Sequence, residues 1–394
     1  MVTSPKIQSG FKLFDIGMIR ILLVFLVSVF SLMHSVSLAA TPEILEIKTD
    51  KGVSAWLVRE PSIPIISVQI IFRGGTATDP AGKEGLANMV SGLLDEGAGE
   101  FDSAAFQERL QEFAIGFSAS VNKDTFRISM QTLVEHRNEA FRMLGIALSE
   151  PRFDTKPVER IRQQIKVGLI RDSENPDRIA NHTWFSKAFP DHAYGRSGRG
   201  SLETISAITR DDLATFTRDH FARNNAIIGV VGDITPEELS RLLDVSFDGV
   251  AATASPVVIS ETMPTAEGSV TIIRRQIPQS VVTFGLPGIK RDDPDFYAAY
   301  IMNYVLGGGG FSSRLFQEVR EKRGLAYSVY MYIYPYEHSS IYLGGVATVN
   351  ARVGESLDII RAQIMDVAEN GITADELERA KTFLNGSFPL RLDS

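Results

Sequence analysis

Past its first forty residues the chain alternates short β-branched runs with long stretches of helical period. Residues 66–72 read ISVQIIF and stop at Arg73-Gly74-Gly75, the pattern of a strand and its terminator. Residues 85–94 (GLANMVSGLL) come next as a buried helix. Residues 103–113 (SAAFQERLQEF) carry an apolar helical period, with Ser103 placed to cap it. Residues 115–121 and 125–132 alternate as paired strands, and helices are expected over 134–148 and 156–173. Residues 226–231 (AIIGVV) form a further strand stopped by Gly232-Asp233, after which Thr235 caps a helix with Pro236 in its first turn. Residues 249–268, rich in Ala, Thr, Ser and Pro with weak periodicity, read as a linker.

The chain beyond the linker repeats the chain before it. SVQIIFRGG at 67–75 is answered by VVTFGLPG at 281–288, and the helix before Gly97 by residues 300–306 before Gly307. Phe106-Gln107-Glu108 recurs as Phe316-Gln317-Glu318, and Glu159-Arg160 recurs as Glu378-Arg379. Matches in the same order and with the same structural roles point to two copies of one α+β domain, residues 42–248 and 269–394. The second copy stops at Ser394, just after the helix matching 156–173, whereas the first runs about 75 residues further. The second domain is therefore expected to be incomplete at its end.

Residues 1–40 read as a secretory signal. Lys6, Lys12 and Arg20 precede the apolar run 21–30 (ILLVFLVSVF), and Ser37-Leu38-Ala39-Ala40 supplies small residues for cleavage. Either Met1 or Met18 serves as the start. The alternative is an uncleaved inner-membrane anchor, for which residues 18–40 are barely long enough. With 44% hydrophobic and 22% charged residues, the rest is globular rather than disordered. Lys plus Arg number 40 and Asp plus Glu 48, giving −8, and no long basic run occurs, so nucleic acid is not an expected partner. The absence of cysteine excludes disulfides, thiolate-held zinc and thiol catalysis. It fits a periplasmic protein whose cores are large enough to do without disulfides.

Three segments carry a family resemblance: residues 307–327 (GGGGFSSRLFQEVREKRGLAY), 192–195 (HAYG) and 224–234 (NNAIIGVVGDI). With the signal and the duplication, they make residues 42–394 resemble the M16 family of zinc metallopeptidases, the insulinase and mitochondrial processing peptidase group. The small bacterial two-domain branch is the nearest likeness. The resemblance implies two homologous α/β-sandwich domains of the LuxS/metallopeptidase-like kind in a clam-shell arrangement. It also implies that two such chains enclose a peptide-degrading chamber.

Active members of that family carry an inverted H-x-x-E-H on a helix and a distal Glu, ligands and base for zinc. Matched residue by residue, Asn88 stands where the first His belongs, Ser91 where the Glu belongs, Gly92 where the second His belongs, and Lys166 where the distal Glu belongs. Asn and Ser are poor zinc ligands, Gly has no side chain and a Lys ammonium repels the cation. None of the six histidines (34, 136, 182, 192, 220 and 338) pairs with another at helical spacing, and His192 reads as structural. No cofactor is expected in this chain, and it should not hydrolyse peptides alone.

The second half differs. The family's Arg–Tyr pair, which faces the zinc and stabilises the oxyanion, matches Arg320 and Tyr327 at the family spacing of seven. A fixed cation and a phenol donor suit a carbonyl oxygen that is gaining charge. The bland alternative puts Arg320 on a solvated helix end and Tyr327 in a strand core. The counterparts in the first copy, Leu110 and Phe117, are apolar, so duplication alone did not require the pair. The glycine run lacks the marks of a phosphate loop and reads as a hinge giving a peptide close backbone access. Gly308, Gly309, Gly310 and Phe311 are accordingly assigned to substrate binding. Tyr330, Tyr332 and Tyr334 alternate on one strand face, either as half-buried packing or as a chamber lining.

Together these features read as a non-zinc-binding subunit of a bacterial heterodimeric M16-type peptidase in the periplasm. It would supply Arg320 and Tyr327 to the zinc site of an H-x-x-E-H homologue acting on peptides, with no lasting membrane anchor. The alternative is an inactive scaffold or peptide-binding protein of the same fold.

Overall fold

A computed structural model describes residues 43–388 except 256, 266 and 267. The expected signal segment lies outside the described residues. Strands β1 (Ile44–Lys48), β2 (Ser54–Arg59), β3 (Ile65–Arg73), β4 (Gly116–Val121), β5 (Thr125–Leu133) and β6 (Ala226–Gly232) form a mixed sheet in the order β1-β2-β6-β3-β5-β4. Only the β2–β6 pair is parallel. Strands β7 (Gln279–Pro287), β8 (Ala326–Pro335) and β9 (Ser340–Val349) form a second, antiparallel sheet in the order β7-β9-β8. That order repeats β3-β5-β4, strand for strand along the chain.

The helices are α1 (Leu86–Ser91), α2 (Ser103–Glu112), α3 (Arg137–Ser149), α4 (Thr155–Glu174), α5 (Pro176–Ala188), α6 (Leu202–Ala207), α7 (Arg210–His220), α8 (Pro236–Ser246), α9 (Phe296–Asn303), α10 (Val353–Asn370) and α11 (Ala374–Ser387). Alternation explains why the larger sheet buries one face: Ile66, Val68, Ile70 and Phe72 of β3 join Phe126, Ile128 and Met130 of β5 in one core. Phe106, Phe141 and Leu243 close that core from α2, α3 and α8. The second sheet has its own core, built on Leu315, Val319, Val329, Met331, Val346 and Ile360. A smaller cluster joins the two, with Phe185, Phe189 and Tyr194 against Ile341 and Leu343. Gly285 is required there, because a Cβ would stand 2.3 Å from Trp184 of α5.

Two local expectations are corrected. Asp102, not Ser103, caps α2, its carboxylate accepting the Ala105 N–H at 2.9 Å, while the Ser103 hydroxyl donates to Glu96 at 2.5 Å. The helix expected over 85–94 regularly winds only through Leu86–Ser91, between Gly85 at φ +95° and Gly92. Among the described residues no helix is long and apolar enough to cross a membrane.

Candidate functional site

The degenerate metal positions sit on α1 and α4. Asp79 is 2% exposed and anchors the start of α1, accepting N–H bonds from Gly85 at 2.8 Å and Ala87 at 2.9 Å. Burial pushes its carboxyl up to about 7, against those two bonds and the Arg196 charge. One turn on, the Ser91 hydroxyl folds back to the Asn88 carbonyl at 2.8 Å. A Cβ on Gly92 would point at Ile161 of α4, 3.3 Å away. Lys166 is half-buried on α4.

Of the four, only Asn88 lines a large cavity of about 1450 Å³, between α4, α5 and the β4–β5 turn on one side and residues 290–292 and 334–337 on the other. These side chains do not fit a zinc ion: one amide, one hydroxyl turned away, no group at Gly92 and an amine. Among the described residues no three His, Asp or Glu side chains cluster as metal ligands.

The structure brings Arg320, Tyr327 and Phe311 together. A π-helical turn over Phe316–Glu321 carries Arg320. Its guanidinium carbon lies 4.7 Å from the Tyr327 ring, 4.7 Å from Phe316 and 5.7 Å from Phe311. Phe311 meets Phe316 edge-on at 4.8 Å. Cation–π contacts with three rings hold the guanidinium without a close carboxylate, since Glu321 stands 4.0 Å away. Tyr327 is 81% exposed and Phe311 73%. Tyr327 is not in the strand core because β8 is irregular there: its register with β9 jumps between Ala326 and Ser328. A bulge of this kind re-aims a side chain off the ladder. Neighbouring Arg323 and Lys322 both bind Glu318, at 2.6 and 2.5 Å, and hold its carboxyl below the usual range.

Gly308 and Gly309 go elsewhere, to a cavity of about 320 Å³ with Tyr300, Asn303, Tyr332 and Phe383. Gly310 turns the chain at φ +57° towards Phe311. Gly307 answers to close packing rather than to hinge freedom, since a Cβ there would lie 2.7 Å from the Met331 Cβ.

His192 uses both ring nitrogens structurally, Nδ1 accepting the Tyr194 N–H at 3.1 Å and Nε2 lying 2.9 Å from the Ser260 carbonyl. His220 is buried on the Phe216 ring, and burial lowers its affinity for a proton. Of the tyrosine run, Tyr334 and Tyr336 line the large cavity, and Tyr330 and Tyr332 stack at 5.5 Å. Sequence reasoning missed Lys123 and Asp124 in the β4–β5 turn. Lys123 reaches the Tyr194 carbonyl at 2.7 Å over the Phe185 ring, and burial lowers its amine to about 8. No periodicity marks a turn residue whose partner lies seventy positions away.

Comparison with known proteins agrees with this architecture. Residues 207–384 match the family described as Peptidase M16 inactive domain. The chain is similar to a non-peptidase homolog, YmxG, of Helicobacter pylori, 28% identical over 84% of this chain and 76% of that one. It is 33% identical to an uncharacterized zinc protease of Streptomyces coelicolor over 57% of this chain and 50% of that one. Among solved structures, a peptidase M16 inactive domain from Pseudomonas fluorescens superposes with TM-score 0.83 at 26% identity, covering 88% of this chain and 84% of that chain. A chain of Complex III2 from Candida albicans, 16% identical with TM-score 0.71, shares the fold over 89% of this chain and 82% of its own. On fold, motifs and relatives together, this chain is similar to proteins of the M16 peptidase family, whose inactive-domain model it matches over residues 207–384.

Proposed function

We propose that the chain is the metal-free subunit of a bacterial heterodimeric M16-type peptidase, exported to the periplasm. In this reading its halves, 42–248 and 269–394, form a clam-shell joined by 249–268, and an H-x-x-E-H homologue supplies the zinc. Arg320 and Tyr327 grip the peptide carbonyl undergoing attack. The guanidinium N–H groups and the phenol O–H donate to its oxygen as negative charge develops there. The observation that carries the reading is the Arg320 guanidinium held 4.7 Å from a tyrosine ring that is 81% exposed. A donor pair preorganised by aromatic packing and turned outward is suited to act on something beyond this chain.

A second reading, a scaffold or peptide-binding protein without catalysis, draws on the same cage. Phe316 is buried, so Arg320 also caps the second core, a role that needs no substrate. Co-expression with an H-x-x-E-H homologue tests the choice. The first reading expects a stable mixed complex that cleaves peptides faster than the homologue alone. Equal cleavage with and without this chain favours the scaffold.

A further inference from the structure

The loop at residues 192–195 is bonded to more of the fold than its length suggests. Tyr194 is fully buried, and its hydroxyl donates to Asp124 Oδ1 at 2.5 Å while accepting the His338 N–H at 3.0 Å. The other Asp124 oxygen accepts the Glu337 N–H at 3.0 Å. One carboxylate and one phenol thus hold two consecutive backbone amides of the β8–β9 connection against the β4–β5 turn. His192 reaches the Ser260 carbonyl, and His338 Nδ1 lies 3.2 Å from Glu261, which also takes Lys290 at 2.7 Å. The His338 carbonyl accepts the Thr262 N–H at 3.0 Å. Tyr336 packs on Tyr194 at 5.1 Å between ring centres. Gly195 has no alternative, because a Cβ would fall 2.0 Å from the Phe189 carbonyl oxygen.

The position of this knot gives it a consequence. Lys123, Asp124, Tyr336 and Glu337 all line the 1450 Å³ cavity, whose walls come from both sheets' surroundings. We propose that Tyr194 and Asp124 are a lock that pins the β8–β9 connection to the β4–β5 turn and thereby fixes the aperture of the large cavity. The apolar cluster beside it resists separation but does not choose an angle, because apolar contact is non-directional. The buried phenol–carboxylate pair does choose one, since each bond has a preferred length and direction. This inference does not depend on the role of Arg320 and Tyr327.

The test uses the absence of native cysteine. Glu203→Cys and Asp292→Cys place spin labels on two residues that line the cavity, one from each half of the chain, and the distance distribution is measured in the full chain with and without Tyr194→Phe. The lock expects a narrow distribution that roughly doubles in width or shifts outward in the variant. It also expects the His338 amide to exchange on the order of tenfold faster, the equivalent of one lost hydrogen bond. Asp124→Asn, which keeps one acceptor oxygen, should give a smaller change in the same direction and serves if Tyr194→Phe does not fold. Ser246→Ala removes a buried bond to the Phe141 carbonyl far from the cavity and should leave the distances unchanged. An unchanged distribution in both lock variants, or an equal broadening in Ser246→Ala, overturns the proposal.

Discussion

Asp79→Asn should change how stability depends on pH, because it removes the one carboxylate whose buried charge underlies α1. In the folded chain burial raises this carboxyl to about 7, from an ordinary 3.8. Between those values the native state holds a proton that the unfolded state has released. Unfolding then liberates a proton, so stability falls as pH rises across that window. A pKa difference of about three units corresponds to at most about 4 kcal/mol, and relaxation around Arg196 and Glu84 brings the expected loss to about 2–4 kcal/mol. The asparagine cannot titrate but still offers one acceptor to the Gly85 and Ala87 amides. Denaturant unfolding at a series of pH values from about 4.5 to 8 reads the difference. Wild type should lose stability across the range relative to Asp79→Asn, and the two curves should converge or cross towards pH 8. Parallel profiles would show that the carboxylate is already ionised at the low end, held by its two N–H donors, and the burial argument would be wrong. Asp79→Ala, which leaves both buried amides without an acceptor, should cost about 2–4 kcal/mol near pH 5, and the cost should shrink towards pH 8 as the wild type loses stability.

The same geometry sets other outcomes. The mature chain, dialysed and analysed for metals, should hold no stoichiometric zinc, because Asn88, Ser91, Gly92 and Lys166 supply no ligand set; one tightly held zinc per chain would contradict this. Gly195→Ala should cost on the order of 3 kcal/mol or prevent folding, given the 2.0 Å approach of the Phe189 oxygen, and a near-wild-type unfolding midpoint would show that the loop yields. N-terminal sequencing of protein released by osmotic shock should begin near Ala40 or Thr41, whereas an intact leader in the membrane fraction would favour the anchor.

Much of the fold was legible where local chemistry and tertiary structure agree. The β-branched run of β3, the Thr235-Pro236 start of α8 and the Asp/Glu-flanked length of α4 each satisfy backbone demands that their own residues announce. The cap of α2 was misplaced by one residue because Asp102 and Ser103 are both good caps, and only the bond to Ala105 decides between them. The π turns over Tyr304–Gly308 and Phe316–Glu321 left no trace in the hydrophobic period, which records which face is buried and not which carbonyl each amide finds. The site was half legible. Arg320 and Tyr327 were found by motif, but the irregularity that throws Tyr327 outward comes from pairing with β9. Gly308 and Gly309 adjoin Phe311 in sequence, yet face another cavity.

The central claim is tested most directly by kcat for peptide cleavage in a verified complex with an H-x-x-E-H partner, comparing wild type with Arg320→Ala, Tyr327→Phe and Arg323→Ala. A preorganised oxyanion donor is typically worth on the order of 10²–10³ in kcat, about 2.7–4 kcal/mol, and a partly open site lies at or below the lower end. Arg320→Ala and Tyr327→Phe should therefore lower kcat by roughly tenfold to a hundredfold with the complex intact, while Arg323→Ala, tied to Glu318, should change it little. Three variants indistinguishable from wild type would remove the catalytic role and leave the scaffold.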